Sequence, residues 1–310
     1  MANTPASVRV DKRGNVHIDK ENRIRRFGVV DGILLFFLTL LALIILYPFY
    51  NAILVSVVPN TIYVRHQGLM LWPPAWTFEA YEFTFKSKLI WFGYRNSILI
   101  TVGGTIYNMI LTVLCAYALI KPYPGHKFVR FAIVFTMYFS GGLVPYYLLM
   151  KDLHLMDTIW ALFLPTGINI MYMLITSNYF KSLPPALEES AKIDGATDMR
   201  ILWSVILPLS LPLLATFTLY YAVERWNEWY NAMLFCKSVE NWPLQNVLRT
   251  IINDVQMIAT QNIPGQAKPD IQGDSIKMSS VVVAMAPIMC LYPFLQKYFL
   301  TGLTLGAVKE

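Results

Sequence analysis

Six windows of this 310-residue chain, roughly 28–52, 95–120, 128–150, 159–180, 203–223 and 278–300, are long and apolar enough to cross a bilayer as helices. A crossing takes about 20 mostly apolar residues, and inside hydrocarbon every backbone N–H and C=O must find its partner within the helix itself. Hydrophobic residues make up 56% of the chain and charged residues 14%, which is more apolar surface than a soluble core of this size buries. Alternating segments of about 10 residues, the pattern of an outer-membrane barrel, are absent. The expected fold is all-α and polytopic, with six transmembrane helices.

Basic residues set the expected orientation. Between Met1 and Arg26, Arg9, Lys12, Arg13, Lys20, Arg23, Arg25 and Arg26 outnumber Asp11, Asp19 and Glu21, which places this end in the cytoplasm. Six crossings return Lys297 and Lys309 to the same side and put Lys121, Lys127, Arg130 and the segment 181–203 there too. The organisation expected is a basic cytoplasmic tail over 1–27, a membrane domain over 28–300 and a cytoplasmic tail over 301–310, with external loops at about 53–94 and 224–277. The first span starts too far from the N-terminus and runs too long for an ordinary secretory signal, so it is expected to be retained. The net charge of +6 comes from residues beside spans, not interleaved with stacking aromatics, so membrane lipid is an expected partner and nucleic acid is not.

Catalytic patterns are missing from the sequence. It has no GxxxxGK[ST] phosphate cradle, no GxSxG elbow and no HExxH, and His17, His66, His126 and His154 are scattered among tail and loops. Cys115, Cys236 and Cys290 show no CxxC spacing and read as packing residues. The chain is therefore expected to be no enzyme by itself, and to bind no metal and no cofactor of its own.

Residues 181–212, KSLPPALEESAKIDGATDMRILWSVILPLSLP, place a charged, helix-prone segment with a central glycine between two apolar runs. Ser182 is expected to cap a helix over about 183–193 with Pro184 in its first turn, and Glu188 and Glu189 lie near the positive end of its dipole. Gly195 ends that helix, and Thr197 caps a second one leading into the fifth span. Small Ser190 and Ala191 leave room for a partner surface to approach, while Glu189 and Asp194 can pair with its basic groups. By itself the pattern fits either a docking element or an amphipathic surface helix.

The spacing of Glu189, Ser190, Ala191, Gly195, Val205, Leu207 and Pro208 resembles the EAA signature of importer-type ABC permeases, with Ser190 and Val205 replacing the usual Ala and Ile. Asp194-Gly195-Ala196 and Pro212 look like the sugar-importer version. Tyr47-Pro48-Phe49, Asn96-Ser97, Ala116-Tyr117-Ala118, Leu155-Met156-Asp157-Thr158 and Gly302-Leu303-Thr304 look like maltose-permease relatives. Phe139-Ser140-Gly141-Gly142-Leu143-Val144-Pro145, Trp226-Asn227-Glu228-Trp229 and Trp242-Pro243-Leu244-Gln245 resemble permeases of lipoprotein/aldouronate-type oligosaccharide importers.

The resemblance implies a type I importer permease that pairs with a second permease subunit, as a heterodimer, and with two ATP-binding cassette ATPases. It also implies an extracellular solute-binding lipoprotein that delivers a carbohydrate, an oligosaccharide of either neutral or uronic-acid-containing units. ATP and Mg are then used by the partner ATPases. Glu188, Glu189, Ser190, Ala191, Asp194, Gly195, Ala196 and Pro208 are the residues expected to couple to the ATPase, although Gly195 also serves as a plain helix stop. The C-terminal tail either reaches the ATPase too or frays.

Sugars combine hydroxyls with apolar ring faces, and Trp226, Asn227, Trp229 and Tyr230, with Asn231, offer the matching aromatic and amide chemistry beyond the fifth span. Asn108 and Asn169 add polar groups at membrane depth. These side chains fit either a substrate path or an interfacial belt with interhelical hydrogen bonds, and Trp72, Trp76, Tyr81 and Phe83 fit such a belt as well. For acidic sugars, Arg95 and Arg225 are the span-edge arginines expected on the outer side. Two rival functions, an ion-coupled secondary transporter and a membrane scaffold for a soluble partner, differ from the importer in needing a midplane coupling carboxylate or no transport at all.

Overall fold

The computed structural model describes residues 7–10, 16–19, 28–65, 70–260 and 273–307. It divides into two compact units, Met1–Asn51 and Ala52–Glu310. The first holds a short antiparallel hairpin, β1 (Ser7–Val10) and β2 (Val16–Asp19), which pairs Ser7 with Asp19 and Val10 with Val16. This hairpin is the one strand pairing among the described residues. The same unit holds most of α1 (Val29–Ser56), which runs unbroken through Pro48.

Helices then follow in order: α2 (Asn60–Arg65), α3 (Glu79–Lys86), α4 (Lys88–Ala118), α5 (His126–Tyr138), α6 (Leu143–Asp152), α7 (Ile170–Ser182) and α8 (Pro185–Ile193). After these come α9 (Asp198–Ile201), α10 (Leu207–Leu209), α11 (Leu211–Trp226), α12 (Tyr230–Phe235), α13 (Leu244–Thr260) and α14 (Gly273–Ala307).

Three of the six expected spans are single helices long and apolar enough to cross a membrane: α1, α4 and the first half of α14. Two others are bent. The window 128–150 folds as α5 and α6, which meet at 114°, because Ser140-Gly141-Gly142 leaves the helix with Gly142 at φ +82°. The fifth window bends by 85° between α10 and α11, where Pro208 and Pro212 each remove a backbone donor. Just before it, Leu202–Ile206 widens into a π-helical turn. The fourth window is a 3-10 turn at Ile159–Leu162, an irregular stretch around Pro165 and Gly167, and then the 13-residue α7. Prolines and glycines inside apolar runs thus convert half of the expected straight crossings into jointed ones.

α4 is the spine of the second unit, about 46 Å long at 1.5 Å per residue. At its C-terminal end Val113, Ala116 and Tyr117 pack with Met173 and Phe180 of α7 and with Ile201, Leu202, Ile206 and Leu214. At its N-terminal end Ile90 packs with Trp226, Leu244, Val247, Leu248 and Ala284, which joins α11, α13 and α14. One face of the helix between these clusters carries Thr105, Asn108 and Thr112, three and four residues apart and all buried.

That polar face meets the irregular stretch after the 3-10 turn, whose carbonyls lack helical partners and must be satisfied inside the protein. Arg225 of α11, 2% exposed, donates through Nη1 to Leu162 O (3.0 Å) and through Nη2 to Thr166 O (2.7 Å). Asn108 Nδ2 donates to Thr166 O at 3.2 Å. Gly104 lets the Arg225 stem lie against α4, since a Cβ there would stand 3.0 Å from Arg225 Cδ. Arg225, expected to face an external cavity, is instead a buried brace for this broken segment. Ser275 and Ser279, in the first turns of α14, also tie segments together. Ser275 Oγ donates to Val58 O (2.8 Å), and Ser279 Oγ shares a hydrogen bond with Thr84 Oγ1 (2.9 Å). α14 is continuous through Pro287 and Pro293.

Candidate functional site

α8 begins at Pro185 with Pro184 before it, so proline, not a side-chain cap, shapes its start. Ser182, expected to cap it, belongs to the end of α7 and donates to Tyr179 O at 2.8 Å. The far end closes as a Schellman turn: Ala196 N–H donates to Ala191 O (2.9 Å) and Gly195 N–H to Lys192 O (3.0 Å), with Gly195 at φ +78°. Nothing lies within 4 Å of a Cβ built on Gly195, so this position demands glycine for its backbone conformation and not for space. Thr197 Oγ1 then accepts from Arg200 N at 3.4 Å and opens α9. Helix, left-handed turn and helix are all present.

Lys121, three residues beyond α4, anchors this elbow. Its ammonium donates to Glu188 in α8, pairs with Asp198 Oδ1 in α9 at 2.9 Å, and lies 4.5 Å from the centre of the Tyr117 ring. Lys192 adds a second cation to Glu188 at 2.8 Å. Partial burial disfavours the Lys121 charge, but its bonds to Glu188, Tyr117 and Asp198 outweigh that and raise its pKa above the usual lysine value. Burial likewise opposes ionisation of Glu188, yet the bonds from Lys121 and Lys192 hold its carboxyl below the ordinary range. The Lys121 bond does the same for Asp198. The sequence marked Lys121 only as a topogenic charge; its spacing after an apolar span carried no sign of these partners.

Ala191 and Ala196 turn toward the cluster of Met173, Phe180, Ile201 and Leu202. Glu189, Ser190, Asp194 and Gly195 stay exposed, as does Ile193 at 86%. The motif therefore has an inner face that seats α8 on its own chain and an outer face that is bare. Pro208 lies in the joint above, within α10.

At the opposite end of α11 the residues of the supposed sugar path separate into two groups. Trp226 is buried against Tyr94 and donates Nε1 to Ala284 O at 3.3 Å. Asn169 caps α7 by accepting from Met171 N (3.1 Å) and Tyr172 N (3.4 Å), and its own N–H donates to Tyr221 Oη at 3.1 Å. Asn108 is buried with Oδ1 unpaired. Asn227, Trp229 and Tyr230 remain on the surface, with Trp229 and Tyr230 edge to face at 5.7 Å. Arg249 of α13, which the sequence did not single out, lies over the Trp229 ring at 4.5 Å.

A further brace joins two loops at this end. Asp157, at φ +58°, accepts from Lys237 N (3.0 Å), Ser238 N (2.8 Å), Ser238 Oγ and Asn241 Nδ2 (3.3 Å). The bonds from Ser238 do most to hold this carboxyl below its usual pKa. Among the described residues no group of three or more His, Cys, Asp or Glu side chains gathers to hold a metal ion.

A jointed, mostly apolar helical membrane unit with an anchored surface elbow defines a transport permease of the type I importer class. The chain belongs to the family described as binding-protein-dependent transport system inner membrane component, whose model matches residues 25–304. It is 39% identical over 277 residues to the polygalacturonan/rhamnogalacturonan transport system permease protein YtcP of Bacillus subtilis strain 168, covering 88% of this chain and 96% of that one. It is 40% identical over 249 residues to protein LplC of the same organism, covering 79% and 83%. A crystal structure of a bacterial ABC transporter that imports the acidic polysaccharide alginate contains a chain 34% identical to this one, with a TM-score of 0.78 over 88% of this chain and 96% of that chain. The chain is accordingly a membrane permease of an ABC importer, a kind of subunit that works in a complex with an ATPase and a solute-binding protein.

Proposed function

We propose that this permease carries an oligosaccharide, uronic-acid-containing chains among its cargo, delivered by an extracellular solute-binding lipoprotein. It pairs with a second, different permease and with two ATPase subunits, which supply all use of ATP and Mg, while this chain catalyses no reaction itself. The proposed arrangement has the N- and C-termini and the 181–203 elbow in the cytoplasm, the membrane domain over 28–300, and the loops of 53–94 and 224–277 outside.

The observation that carries this reading is the outer face of α8. Glu189, Ser190, Asp194 and Gly195 are bare, while Lys121 ties the inner side of the same element to α4 and α9. A surface groove on an ATPase takes the outer face, and movement of that groove reaches α4 and α11 through Lys121 and the jointed helix at Pro208. Glu188 serves from the inner side, holding α8 to Lys121, and Ala191 and Ala196 seat it on the core. Alternating access follows when nucleotide and loaded binding protein stabilise different states of this joint. Asn227, Trp229 and Tyr230 are the proposed sugar-facing groups, and Trp226, Asn108 and Asn169 frame the path behind them.

The test is purification of the tagged chain with its complex, followed by reconstitution. The second permease and the ATPase should co-purify, and ATP turnover and uptake should rise when a sugar-loaded binding protein is added. A chain that moves solute without an ATPase, or binds an ATPase without moving solute, would contradict the proposal.

A further inference from the structure

The first turns of α13 place Gln245 and Arg249 four residues apart on one helix face, while Leu244, Val247 and Leu248 bury themselves against α4 and α11. The exposed face looks onto the segment after α11. Gln245 Nε2 donates to Asn227 Oδ1 at 3.5 Å, and the Arg249 guanidinium lies over Trp229, whose neighbour Tyr230 meets it edge-on. Trp229 is 39% and Tyr230 45% exposed, and Arg249 is exposed.

Arg249 has no carboxylate partner among the described residues. The nearest acid in sequence to this cluster, Glu228, accepts from Asn231 N and Asn231 Nδ2, both at 3.0 Å, and lies 3.9 Å from buried Arg225. Its charge is thus already directed inward. A guanidinium stacked on an indole keeps its edge N–H groups free, and that planar fork matches a carboxylate with two parallel hydrogen bonds. Trp229 and Tyr230 supply apolar surface for a pyranose ring, and Asn227 and Gln245 supply amides for hydroxyls. Aromatic surface, amide and free arginine together match a uronate residue, a sugar ring that carries a carboxylate.

We infer that Arg249, Trp229, Asn227 and Gln245 form a recognition site for the carboxylate-bearing sugar units of the transported chain. It lies at the end of α11 remote from the elbow. This inference rests on the carbohydrate reading above, and gives it a selectivity residue.

The experiment uses the complete complex in proteoliposomes, with its binding protein, and compares uptake of labelled oligogalacturonides with that of neutral oligosaccharides of equal length. Wild type should take up the acidic chains at lower half-saturating concentration than the neutral ones. Arg249→Gln should raise the half-saturating concentration for the acidic chains on the order of tenfold and leave the neutral ones unchanged, while Arg249→Lys, which keeps charge without the fork, falls between. Equal effects on both sugars, or none on either, would overturn this site. Wild-type uptake of neutral chains alone would overturn it too. Failure of the wild-type complex to take up any carbohydrate would instead refute the carbohydrate reading itself.

Discussion

The ammonium of Lys121, just past the end of α4, donates to the carboxylate of Glu188 in α8, 67 residues further along the chain. Glu188 and Asp198 stand on opposite sides of the Gly195 turn, so this one lysine fastens both arms of the elbow to α4. In the proposed mechanism this tie is what makes membrane helices and surface element move together.

Replacing Lys121 with Met should therefore loosen the elbow without unfolding the membrane unit. The Lys121 and Glu188 side chains are 18% and 24% exposed, between a surface pair and a buried one, and loss of the pair costs about 1–2 kcal/mol. A shift of about 1.4 kcal/mol is a factor of about ten. Uptake per ATP hydrolysed by the reconstituted complex should fall about tenfold, with insertion and assembly retained. Unchanged coupling would show that the elbow does not depend on this anchor.

The pH dependence of the anchor has a definite sign. Glu188 and Asp198 have lowered pKa values, so their contribution is complete above the ordinary carboxylate value of about 4 and is lost as pH falls through their folded values. Lys121 is raised, so its contribution is complete below the ordinary lysine value of about 10.4 and is lost only as pH rises through its higher folded value. The difference in melting temperature between wild type and Lys121→Met in detergent should be constant from about pH 5 to 9 and shrink below about pH 4. Asp198 is 62% exposed, so salt should weaken its share.

At Gly195 the expected penalty comes from backbone conformation. Gly195→Asn should keep most uptake, because Asn tolerates the left-handed region, whereas Gly195→Val should cost about 1–2 kcal/mol and most of the coupling. Comparing uptake and ATPase co-purification for the pair checks this. Equal loss in both would point to a steric contact with a partner at this position.

Arg225 gives the opposite kind of outcome to Arg249. Arg225→Met takes the guanidinium donor from the Leu162 carbonyl and leaves Thr166 O to Asn108 alone, at a cost of about 2–4 kcal/mol. Thermal stability of the purified complex should drop, while the ratio of acidic to neutral sugar uptake stays at the wild-type value. A changed ratio would place Arg225 in the path and not in the framework.

Much of this was legible in residue patterns and some was not. The apolar windows gave the helical membrane class, and Gly195 and Thr197 gave the turn of the elbow, because those signals are local, whereas Ser182, expected as a cap, bonds back into α7. Interruptions by Pro and Gly were also visible, but their angles were not, since a glycine such as Gly142 shows where the chain can leave the helix and not how far it then turns. Arg225 was misplaced because a span-edge arginine looks alike whether it snorkels outward or turns in to brace carbonyls 59 and 63 residues away. Lys121 and Arg249 escaped for the same reason: their partners lie far off in sequence, and only folding brings Glu188 and Trp229 to them.

The most direct measurement is cross-linking from position 190. In a complex whose permease carries Ser190→Cys, with Cys115, Cys236 and Cys290 replaced by alanine, the new thiol sits on the bare face of α8. It should cross-link to the ATPase subunit, resist membrane-impermeant thiol reagents added outside intact cells, and change its cross-linking yield between nucleotide-free and ATP-bound states. Labelling from outside, or no cross-link to the ATPase in any state, would contradict the account.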